Sequence, residues 1–376
     1  AGLMGSGIAA HVANAGYDVV LLDIVPKDAG RGVKKRSALA LGAVEYLLKS
    51  HPAAFMEKRN AKHVTSGNIE DDLTLLADAD WIIEAVIEKR DIKQSVYRMI
   101  DSVRKAGSIV SSNTSTIPCR DLMNGMDEKF QSDFLITHFF NPPRYMRLLE
   151  IVAGAKTNPQ AIVTIREFAD VKLGKGVVDC KDTPGFIANR IGTFWIQAAV
   201  VEAFKGNVTV EQADVAIGRA LGIPKTGIFG LMDLVGIDLM PLVSKSLYDA
   251  VPLNDAYRGL YNEPELILKM IAEGSIGRKG KGGFYRLNKE SGKPVKEVID
   301  LTTGAYSTAK RPTPDSVRAA KNLPRTLFEH GDASSAFAWQ VMSTTLCYAS
   351  NLIPEIADTV LAADDAMKLG YAWRYG

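Results

Sequence analysis

The chain has 376 residues, more than one typical domain, and its 47% hydrophobic and 23% charged residues are ordinary for a globular protein. Its 45 basic and 43 acidic residues leave a net charge of only +2, so composition indicates no nucleic-acid partner. The three cysteines lack metal-ligand spacing and no apolar run approaches the roughly 18 residues of a membrane span. We therefore expect a cytoplasmic protein of two or three domains, without a metal site or a membrane span.

The chain opens with a glycine-rich turn typical of dinucleotide-binding domains. A helix is predicted over residues 6–15 and a buried strand over residues 17–23. The second glycine of such a fingerprint lets the backbone approach a pyrophosphate, the third lets helix and strand pack, and the helix N-terminus attracts the phosphate charge. We expect the first glycine and the first strand to precede residue 1. The predicted phosphate-binding residues are Gly2, Leu3, Met4 and Gly5.

Asp23 ends the predicted strand, 18 residues after Gly5. At this position a carboxylate accepts hydrogen bonds from the ribose hydroxyls and repels a 2′-phosphate. The sequence therefore predicts NAD, and not NADP, as the cofactor.

Residues 33–49 and 53–63 are predicted to be basic helices that interrupt the strand alternation. One interpretation is a charged, solvated helical pair. The other is a basic arm that meets the phosphates of a large substrate, with Lys58, Arg59 and Lys62 as candidate substrate-binding residues.

Strands alternating with helices follow, which predicts an α/β, doubly wound sheet. The predicted strands cover residues 81–86, 107–113, 134–140 and 148–152, and a helix covers residues 91–105. From Asp182-Thr183-Pro184-Gly185 onward the pattern is helical over 186–272 and again from 316. We therefore divide the chain into a cofactor-binding domain (1–181), a helical domain (182–286), a linker with room for short strands (287–315) and a second helical repeat (316–376).

The second repeat is predicted from an internal similarity. Phe186 and Asp214 are 28 residues apart, as are Phe337 and Asp365, and each aspartate stands in a similar helical context. Two helical units of like build, packed on each other, are the simplest explanation, and chance similarity of two amphipathic helices is the alternative.

His138 and Glu150 are the candidate catalytic pair. A lone histidine beside aromatic residues is more often a core residue, but a carboxylate inside an apolar strand needs a partner. Imidazole titrates near neutral pH, and a carboxylate behind it fixes the tautomer, as the oxidation of an alcohol requires. Ser115, after a strand's carboxyl end, and Asn189, on the first helix of the next domain, are candidate donors to the substrate oxygen.

The chain resembles the L-3-hydroxyacyl-CoA dehydrogenase family along essentially its whole length. The resemblance rests, in chain order, on the opening GLMGSGIA and on the segments SNTS (112–115), HFFNP (138–142), LEIV (149–152), DTPGFIANR (182–190), DLVGID (233–238) and GRK (277–279). It implies a Rossmann-like domain followed by an all-α part.

By the resemblance, His138 is the base, Glu150 its partner, and Ser115 and Asn189 bind the reacting oxygen. The resemblance also places the cofactor against further residues, namely Ala85, Val86, Glu88, Lys93, Asn113 and Ser115. The implied reaction is the NAD-dependent oxidation of (S)-3-hydroxyacyl-CoA to 3-oxoacyl-CoA in fatty acid β-oxidation.

The second helical unit is similar to that of the multifunctional β-oxidation enzymes, where it supports the first copy and holds no second active site. Gln340 stands where Asn189 stands in the first copy, which agrees with that role. The resemblance further implies an enoyl-CoA hydratase domain, fused beyond residue 376 or associated, together with a thiolase partner and, as in shorter members, a homodimer.

Three rival functions stay open at this point. Ser115, His138 and Glu150 superficially form a serine hydrolase triad, but no G-x-S-x-G elbow surrounds Ser115. A non-catalytic NAD-binding module would not need the paired histidine and glutamate. A dehydrogenase of hydroxy acids without CoA is the nearest rival, and affinity for free CoA distinguishes it from a 3-hydroxyacyl-CoA dehydrogenase.

Overall fold

A computed structural model describes residues 1–30, 32–289, 292–321 and 323–376. Residues 290 and 291 of the predicted linker and residue 322 of the predicted second repeat lie outside this range. The chain forms two compact units, residues 1–186 with 355–357, and residues 187–354 with 358–376. The first is a Rossmann-like α/β unit and the second is largely helical, which confirms the predicted fold class. The four domain boundaries drawn from the sequence stay predictions.

The strands of the α/β unit form two ladders among the described residues. The strands are β1 (Val19–Asp23), β2 (Val64–Asn68), β3 (Trp81–Glu84), β4 (Ile109–Ser112), β5 (Phe134–Phe139), β6 (Leu148–Ala153) and β7 (Gly176–Cys180). β1 and β2 pair in parallel, and five strands follow in the order β3-β4-β5-β6-β7. Pairing in the larger sheet is parallel except between β5 and β6, which run antiparallel.

Two helices of this unit, Glu128–Ser132 and Pro159–Glu167, begin at a side-chain cap. The Asp127 and Asn158 side chains each accept a backbone hydrogen bond at the start of α6 and α7, and Pro159 occupies the first turn of α7. The helices are α1 (Leu3–Asn14), α2 (Val33–Arg36), α3 (Ala38–Leu47), α4 (Arg90–Asp101), α5 (Cys119–Met123), α6 (Glu128–Ser132) and α7 (Pro159–Glu167), with 3-10 helices at Lys58–His63 and Leu73–Asp78 and a π-helical turn at Phe168–Lys172.

The predicted helix over residues 53–63 is wrong for its first half. Only Lys58–His63 is helical, as a 3-10 helix. The backbone before it bonds to side chains of other segments: the Ala53 carbonyl accepts from Tyr145, the Ala54 carbonyl accepts from Asn14, and the Met56 N–H donates to Asn14. Backbone groups engaged in this way are not available for a helical ladder.

The second unit is built around α8. Its elements are α8 (Ala188–Ala203), α9 (Val210–Ala216), α10 (Phe229–Val235), α11 (Leu239–Ala250), α12 (Ala256–Leu260), α13 (Glu265–Ala272), β8 (Tyr285–Asn288), β9 (Val295–Ile299), β10 (Tyr306–Thr308), α14 (Asp315–Ala320), α15 (Pro324–Glu329), α16 (Ala333–Asn351) and α17 (Val360–Gly370), with a 3-10 helix at Arg219–Leu221. The helices found over residues 186–272 and after residue 316 agree with the helices that the sequence pattern predicts there.

The segment predicted as a linker with room for short strands contributes to a small antiparallel sheet. β8, β9 and β10 pair in the order β10-β9-β8, and Val298 and Ile299 of β9 are buried. These strands therefore belong to the packed helical unit, because a solvated linker would not bury its apolar side chains.

The predicted repeat has a counterpart in helix capping. The Thr209 hydroxyl caps α9 and the Thr359 hydroxyl caps α17 in the same way. Aligning the two caps matches Asp214 with Asp364, one residue before the Asp365 that the spacing suggested. The long helices α8 and α16 pack together, with the Phe194 and Tyr348 rings stacked at 3.8 Å between centroids. The duplication of the helical unit is proposed because the two helix caps are alike and the two long helices pack together.

Candidate active site

His138 and Glu150 face each other across the antiparallel pair of β5 and β6. The ladder register places them directly opposite, which explains how residues twelve positions apart in sequence meet. His138 Nδ1 lies 2.7 Å from Glu150 Oε2, and both side chains are buried. The predicted pairing of the two side chains is confirmed. Among the described residues, Nδ1 is the imidazole nitrogen of His138 that a hydrogen bond occupies.

Aromatic rings surround the imidazole. The centroid of the His138 ring lies 4.5 Å from that of Phe140 and 5.8 Å from that of Phe186. Phe186 has a backbone φ of +50°, in the left-handed region that a bulky residue rarely adopts. The preceding Gly185 is also left-handed, with φ +74°, and the Phe186 N–H donates to the Thr183 carbonyl. This turn directs a fully buried phenyl ring toward the histidine.

Asn113 connects the loop after β4 with the end of β5. Its side-chain oxygen accepts the Phe139 N–H at 2.9 Å, and its own N–H donates to the Glu84 carbonyl at 2.8 Å. Ser115, two residues further, donates its N–H to Glu88 at 3.0 Å. The carboxyl ends of β3, β4 and β5 thus bring Asn113, Ser115 and His138 to one edge of the sheet, where α/β proteins bind ligands.

Lys93 occupies a buried position between two carboxylates. Its Nζ lies 2.8 Å from Glu84 Oε1 and 3.1 Å from Glu88 Oε2, and donates to the Val86 carbonyl at 3.3 Å. The three ammonium hydrogens are therefore matched by acceptors inside the protein. Because Lys93 is only 1% exposed, its part here is to join these two glutamates. The predicted contact of Glu88 and Lys93 with the cofactor stays a prediction.

Sequence reasoning missed Glu84. Its carboxylate accepts hydrogen bonds from Tyr97 at 2.8 Å and from Ser112 at 2.7 Å, besides the contact with Lys93. Burial, then the charge of Glu84, raises the pKa of the Tyr97 hydroxyl well above its usual value, so Tyr97 stays a donor. The signal was present in the sequence, since Glu84 is a carboxylate in an apolar strand, like Glu150.

Glu88 fastens the loop that carries Ser115. It accepts hydrogen bonds from the hydroxyl groups of Thr114 and Thr116 and from the Ser115 N–H. Burial raises the pKa of the Glu88 carboxyl, but the charge of Lys93 and the Thr114 hydrogen bond outweigh it, so the pKa lies below its ordinary value. An ionised Glu88 therefore holds the loop at neutral pH.

The part of the cofactor site that is predicted to bind the pyrophosphate is the start of α1. Gly2 is the N-cap and no side chain caps the helix, which leaves first-turn N–H groups of Leu3, Met4 and Gly5 without intrahelical partners. A Cβ built on Gly2 would meet no atom within 4 Å, whereas one on Gly5 would lie 3.6 Å from Ala85 Cβ. Space at Gly2 and uncapped N–H groups suit a pyrophosphate.

Asp23, Ala85 and Val86 lie at strand ends of the same unit. Asp23 is the last residue of β1, and its Oδ1 accepts the Ile24 N–H at 2.7 Å. Ala85 and Val86 directly follow β3, and Val86 is 37% exposed. All three therefore stand at the carboxyl ends of parallel strands, as their predicted role requires.

The remaining predicted residues lie elsewhere. Lys58, Arg59 and Lys62 are exposed on a 3-10 helix, where Arg59 pairs with Glu57 at 2.7 Å. Asn189 is in the first turn of α8, in the helical unit, and is partly exposed. Within the described ranges no group of histidine, cysteine and acidic side chains is arranged to hold a metal ion. Over the same ranges no helix combines the length and apolarity that crossing a membrane requires.

Comparison with known proteins identifies both units. The family described as "3-hydroxyacyl-CoA dehydrogenase, NAD binding domain" matches residues 1–183, and the family's "C-terminal domain" matches residues 185–287. A 3-hydroxyacyl-CoA dehydrogenase of Deinococcus radiodurans is 40% identical over 86% of this chain and 89% of its own length. The crystal structure of FadB2 from M. tuberculosis has 30% identity and a TM-score of 0.64, covering 77% of this chain and 96% of that one.

Longer relatives match as well. A protein of Rickettsia felis named as a fatty acid oxidation complex trifunctional enzyme is 40% identical over 100% of this chain but only 51% of its own length. The chain spans about half the length of the curated relatives that it matches from end to end. The two matched domains and the D. radiodurans relative, matched over most of its length, decide the assignment. The chain belongs to the 3-hydroxyacyl-CoA dehydrogenase family of oxidoreductases, with NAD as the cofactor.

Proposed function

We propose that this chain oxidises the 3-hydroxyl group of (S)-3-hydroxyacyl-CoA to a 3-oxo group with NAD, as a step of fatty acid β-oxidation. The observation that carries the proposal is the buried 2.7 Å contact between His138 Nδ1 and Glu150 Oε2. Family membership supports the acyl-CoA substrate. In this proposal His138 and Glu150 are catalytic residues.

The residues present fit NAD. The uncapped start of α1 and the open space at Gly2 suit its pyrophosphate, and Asp23 at the end of β1 suits the ribose hydroxyls. When bound, NAD supplies the acceptor for the hydride that leaves carbon 3 of the substrate. The chain's own residues handle the proton.

The proton step follows from the hydrogen bond to Glu150. A neutral imidazole that donates its Nδ1–H to the carboxylate keeps Nε2 as an acceptor, and Nε2 takes the hydroxyl proton. Glu150 then stabilises the positive charge of the imidazolium without itself accepting the proton. Ser115 and Asn189 are each proposed to donate a hydrogen bond to the reacting oxygen, and Asn113 and Glu88 hold the loop that carries Ser115.

The trifunctional relative and the half-length match support a further proposal about partners. We propose that the dehydrogenase works together with an enoyl-CoA hydratase domain, fused or associated, and with a thiolase. Lys58, Arg59 and Lys62 are proposed to meet the phosphates of CoA. Homodimer formation and a location in the cytoplasm stay predictions.

The test is His138→Gln, assayed with acetoacetyl-CoA and NADH. Glutamine keeps a polar side chain of similar length but near neutral pH can neither take the proton in the oxidation nor give it back in the reduction that this assay follows. General-base catalysis contributes about 10²–10⁴-fold, so we expect kcat to fall by that factor while the Kd of NADH changes less than about twofold. Stopped-flow or steady-state loss of NADH absorbance measures the first, and fluorescence titration the second.

His330→Gln is the matched control, because His330 also lies near a carboxylate, Asp332 at 3.7 Å, but is exposed and belongs to the helical unit. It should keep the wild-type kcat. A His138→Gln enzyme that retains kcat within about threefold of wild type would remove His138 from the mechanism.

A further inference from the structure

Lys175 is a buried lysine directly before β7, and the proposed proton transfer does not use it. It is 2% exposed, and its Nζ donates to two backbone carbonyls, that of Pro143 and, at 2.8 Å, that of Met146. Burial lowers the pKa of the Lys175 ammonium group to about 8, so the charged form is destabilised by its surroundings. An apolar side chain would fill the same space without this penalty, so the two hydrogen bonds are the feature that needs a reason.

Both carbonyls belong to the loop between β5 and β6, residues 140–147. The loop begins two residues after His138, and its Tyr145 and Met146 N–H groups both donate to the Pro142 carbonyl at 3.0 Å, so it forms a compact turn. Pro142 and Tyr145 are exposed, so one side of the turn faces solvent. The buried lysine bonds to the turn from the protein interior and thereby sets its position.

The same turn packs against the helix that begins the predicted cofactor site. Gly7 of α1 lies two residues after Gly5, and a Cβ built on it would lie 3.0 Å from Pro143 Cδ, so the proline ring would have to move by a few tenths of an ångström. The turn is therefore held between α1 on one side and Lys175 on the other. A shift of either contact moves the loop that leads out of the strand with His138.

The lysine also contacts the residue next to His138. Its Nζ lies 5.4 Å from the centroid of the Phe139 ring, within the range of a cation–π contact. Phe139 packs in one buried cluster with Ile8 of α1 and donates its backbone N–H to the Asn113 side chain. Because successive side chains of a strand point to opposite faces, a fixed Phe139 also fixes the direction of the His138 side chain.

We propose that Lys175 is a positioning residue for the dehydrogenase reaction, which holds the β5–β6 loop and so sets the place of the His138 imidazole relative to α1. The inference rests on the proposed function, in which His138 takes the proton and NAD binds at the start of α1. Loss of the two hydrogen bonds should let the turn shift while the fold is kept, because Arg144 and Tyr145 still tie the loop to the Ala53 carbonyl.

The experiment compares Lys175→Met with wild type in the reduction of acetoacetyl-CoA by NADH. Methionine is an unbranched side chain that fills the buried space but donates no hydrogen bond. We expect kcat to fall by about tenfold to a hundredfold, since a small displacement of a catalytic group lowers the rate by that much, while KM for acetoacetyl-CoA and Kd for NADH change less than about threefold. Lys172→Met, at an exposed position three residues earlier, is the matched control and should keep all three values.

A second variant reaches the turn from its other side. Gly7→Ala adds the Cβ that meets Pro143, and alanine is a better helix former than glycine, so α1 itself is not weakened. It should lower kcat in the same way. Gly42→Ala, on α3, where the added Cβ has no atom within 4 Å, is its control and should keep the wild-type kcat. The melting temperature of each variant should stay within about 5 °C of wild type.

A lower kcat with KM, Kd and melting temperature kept supports the inference. The wild-type kcat in Lys175→Met overturns it, and so does a fall in kcat that comes with higher KM and Kd and a lower melting temperature, because the lysine then serves the fold alone. If Lys175→Met does not fold, Gly7→Ala decides: a lower kcat supports the inference and the wild-type kcat overturns it. These outcomes leave the proposed function intact, whereas a wild type that reduces no acetoacetyl-CoA refutes the proposed function itself.

Discussion

Glu150 is a carboxylate without exposed surface on a strand whose other members are mostly apolar. Removing a carboxylate from water costs several kcal/mol, which a partner must offset. The antiparallel register supplies His138 at 2.7 Å, so the same contact serves folding and the proposed proton transfer. Because the contact has two roles, a variant that removes the charge at position 150 but keeps the shape should separate the effect on proton transfer from the effect on folding.

The first prediction concerns Glu150→Gln. The amide keeps the shape but loses the charge that stabilises an imidazolium, so kcat should fall by about 10²-fold or more while NADH binding is kept. Steady-state kinetics and NADH titration measure the two. Glu128→Gln, at an exposed glutamate paired with Lys156, is the control and should behave as wild type. Equal kcat for Glu150→Gln and wild type would show that the carboxylate has no part in the proton step.

His11 is a second buried histidine, on α1, and it is not part of the proposed mechanism. Burial, followed by the charge of Lys175, lowers its pKa to about 4. Lys175 is itself buried, and burial lowers its pKa to about 8, although it still donates to the Met146 carbonyl at 2.8 Å. His11 is therefore neutral in the folded protein at pH values where an unfolded chain protonates it.

The second prediction follows from this difference. Because the folded-state pKa of His11 is depressed, its contribution to stability is complete above the unfolded value of about 6.5 and is lost as the pH falls toward 4. Between pH 7.5 and pH 5 the free energy of unfolding of wild type should fall by about 1–2 kcal/mol more than that of His11→Gln. Urea unfolding at both pH values measures this. Parallel losses in the two proteins would contradict the depressed pKa.

At the scale of elements, the loop after β4 is held by a buried network of charges. Glu84, at the end of β3, accepts hydrogen bonds from Lys93 and Tyr97 of α4 and from Ser112 of β4. Glu88 accepts a hydrogen bond from the loop itself. A strand end, a helix and a loop are thus fixed by one set of hydrogen bonds. Such a network stabilises the fold only when each of its polar groups has a hydrogen-bond partner, because an unpaired buried charge destabilises the folded state.

The third prediction is that Glu84→Gln destabilises the protein by about 3 kcal/mol, since it removes one of the two carboxylates beside the buried Lys93. It should also raise KM for NADH, because the loop with Asn113 and Ser115 loses its support. Denaturant unfolding and NADH-dependent kinetics check both effects. Glu70→Gln, which breaks an exposed contact with Arg36, should change stability by less than about 1 kcal/mol. A Glu84 variant as mild as Glu70→Gln would show that the network does not support the loop.

At the scale of the whole molecule, the helices after residue 315 complete the core of the helical unit. Phe194 stacks on Tyr348 of α16, and the buried Trp195 meets the Tyr371 and Trp373 rings after α17 at centroid distances of 6.0 and 5.0 Å. Gly192 is needed for this contact, because a Cβ there would lie 2.0 Å from the Tyr371 hydroxyl. The last segment of the chain therefore covers α8.

The fourth prediction concerns a protein cut after residue 286. It should expose the Phe194 and Trp195 side chains, each worth about 1.5–3 kcal/mol of burial, and should bind a hydrophobic dye, aggregate and melt at lower temperature. Dye fluorescence, sedimentation and calorimetry measure these properties. Gly192→Val in the intact chain should show a weaker form of the same behaviour. A truncated protein that stays soluble, stable and fully active would refute the supporting role.

Local patterns in the sequence were enough to predict the strands over 81–86 and 134–140 and the change to helices after residue 182. They were not enough for β2, whose Ser66, Gly67 and Asn68 are poor strand indicators, or for residues 53–57, whose backbone bonds to distant side chains. The sequence predicts a linker with room for short strands over residues 287–315 but not the burial of β9, because that burial depends on packing against α9 and not on the strand's own composition.

By itself the sequence determined the fold class, the cofactor type and the identity of His138 and Glu150 as a pair, since these depend on residue type, spacing and hydrophobic period. Only the tertiary structure decided that β5 and β6 run antiparallel with these two residues in register, and that Glu84 and Glu88 enclose Lys93. The physical reason is that register, burial and the sharing of a charge are properties of segments far apart in the chain, and no local pattern encodes which of them meet.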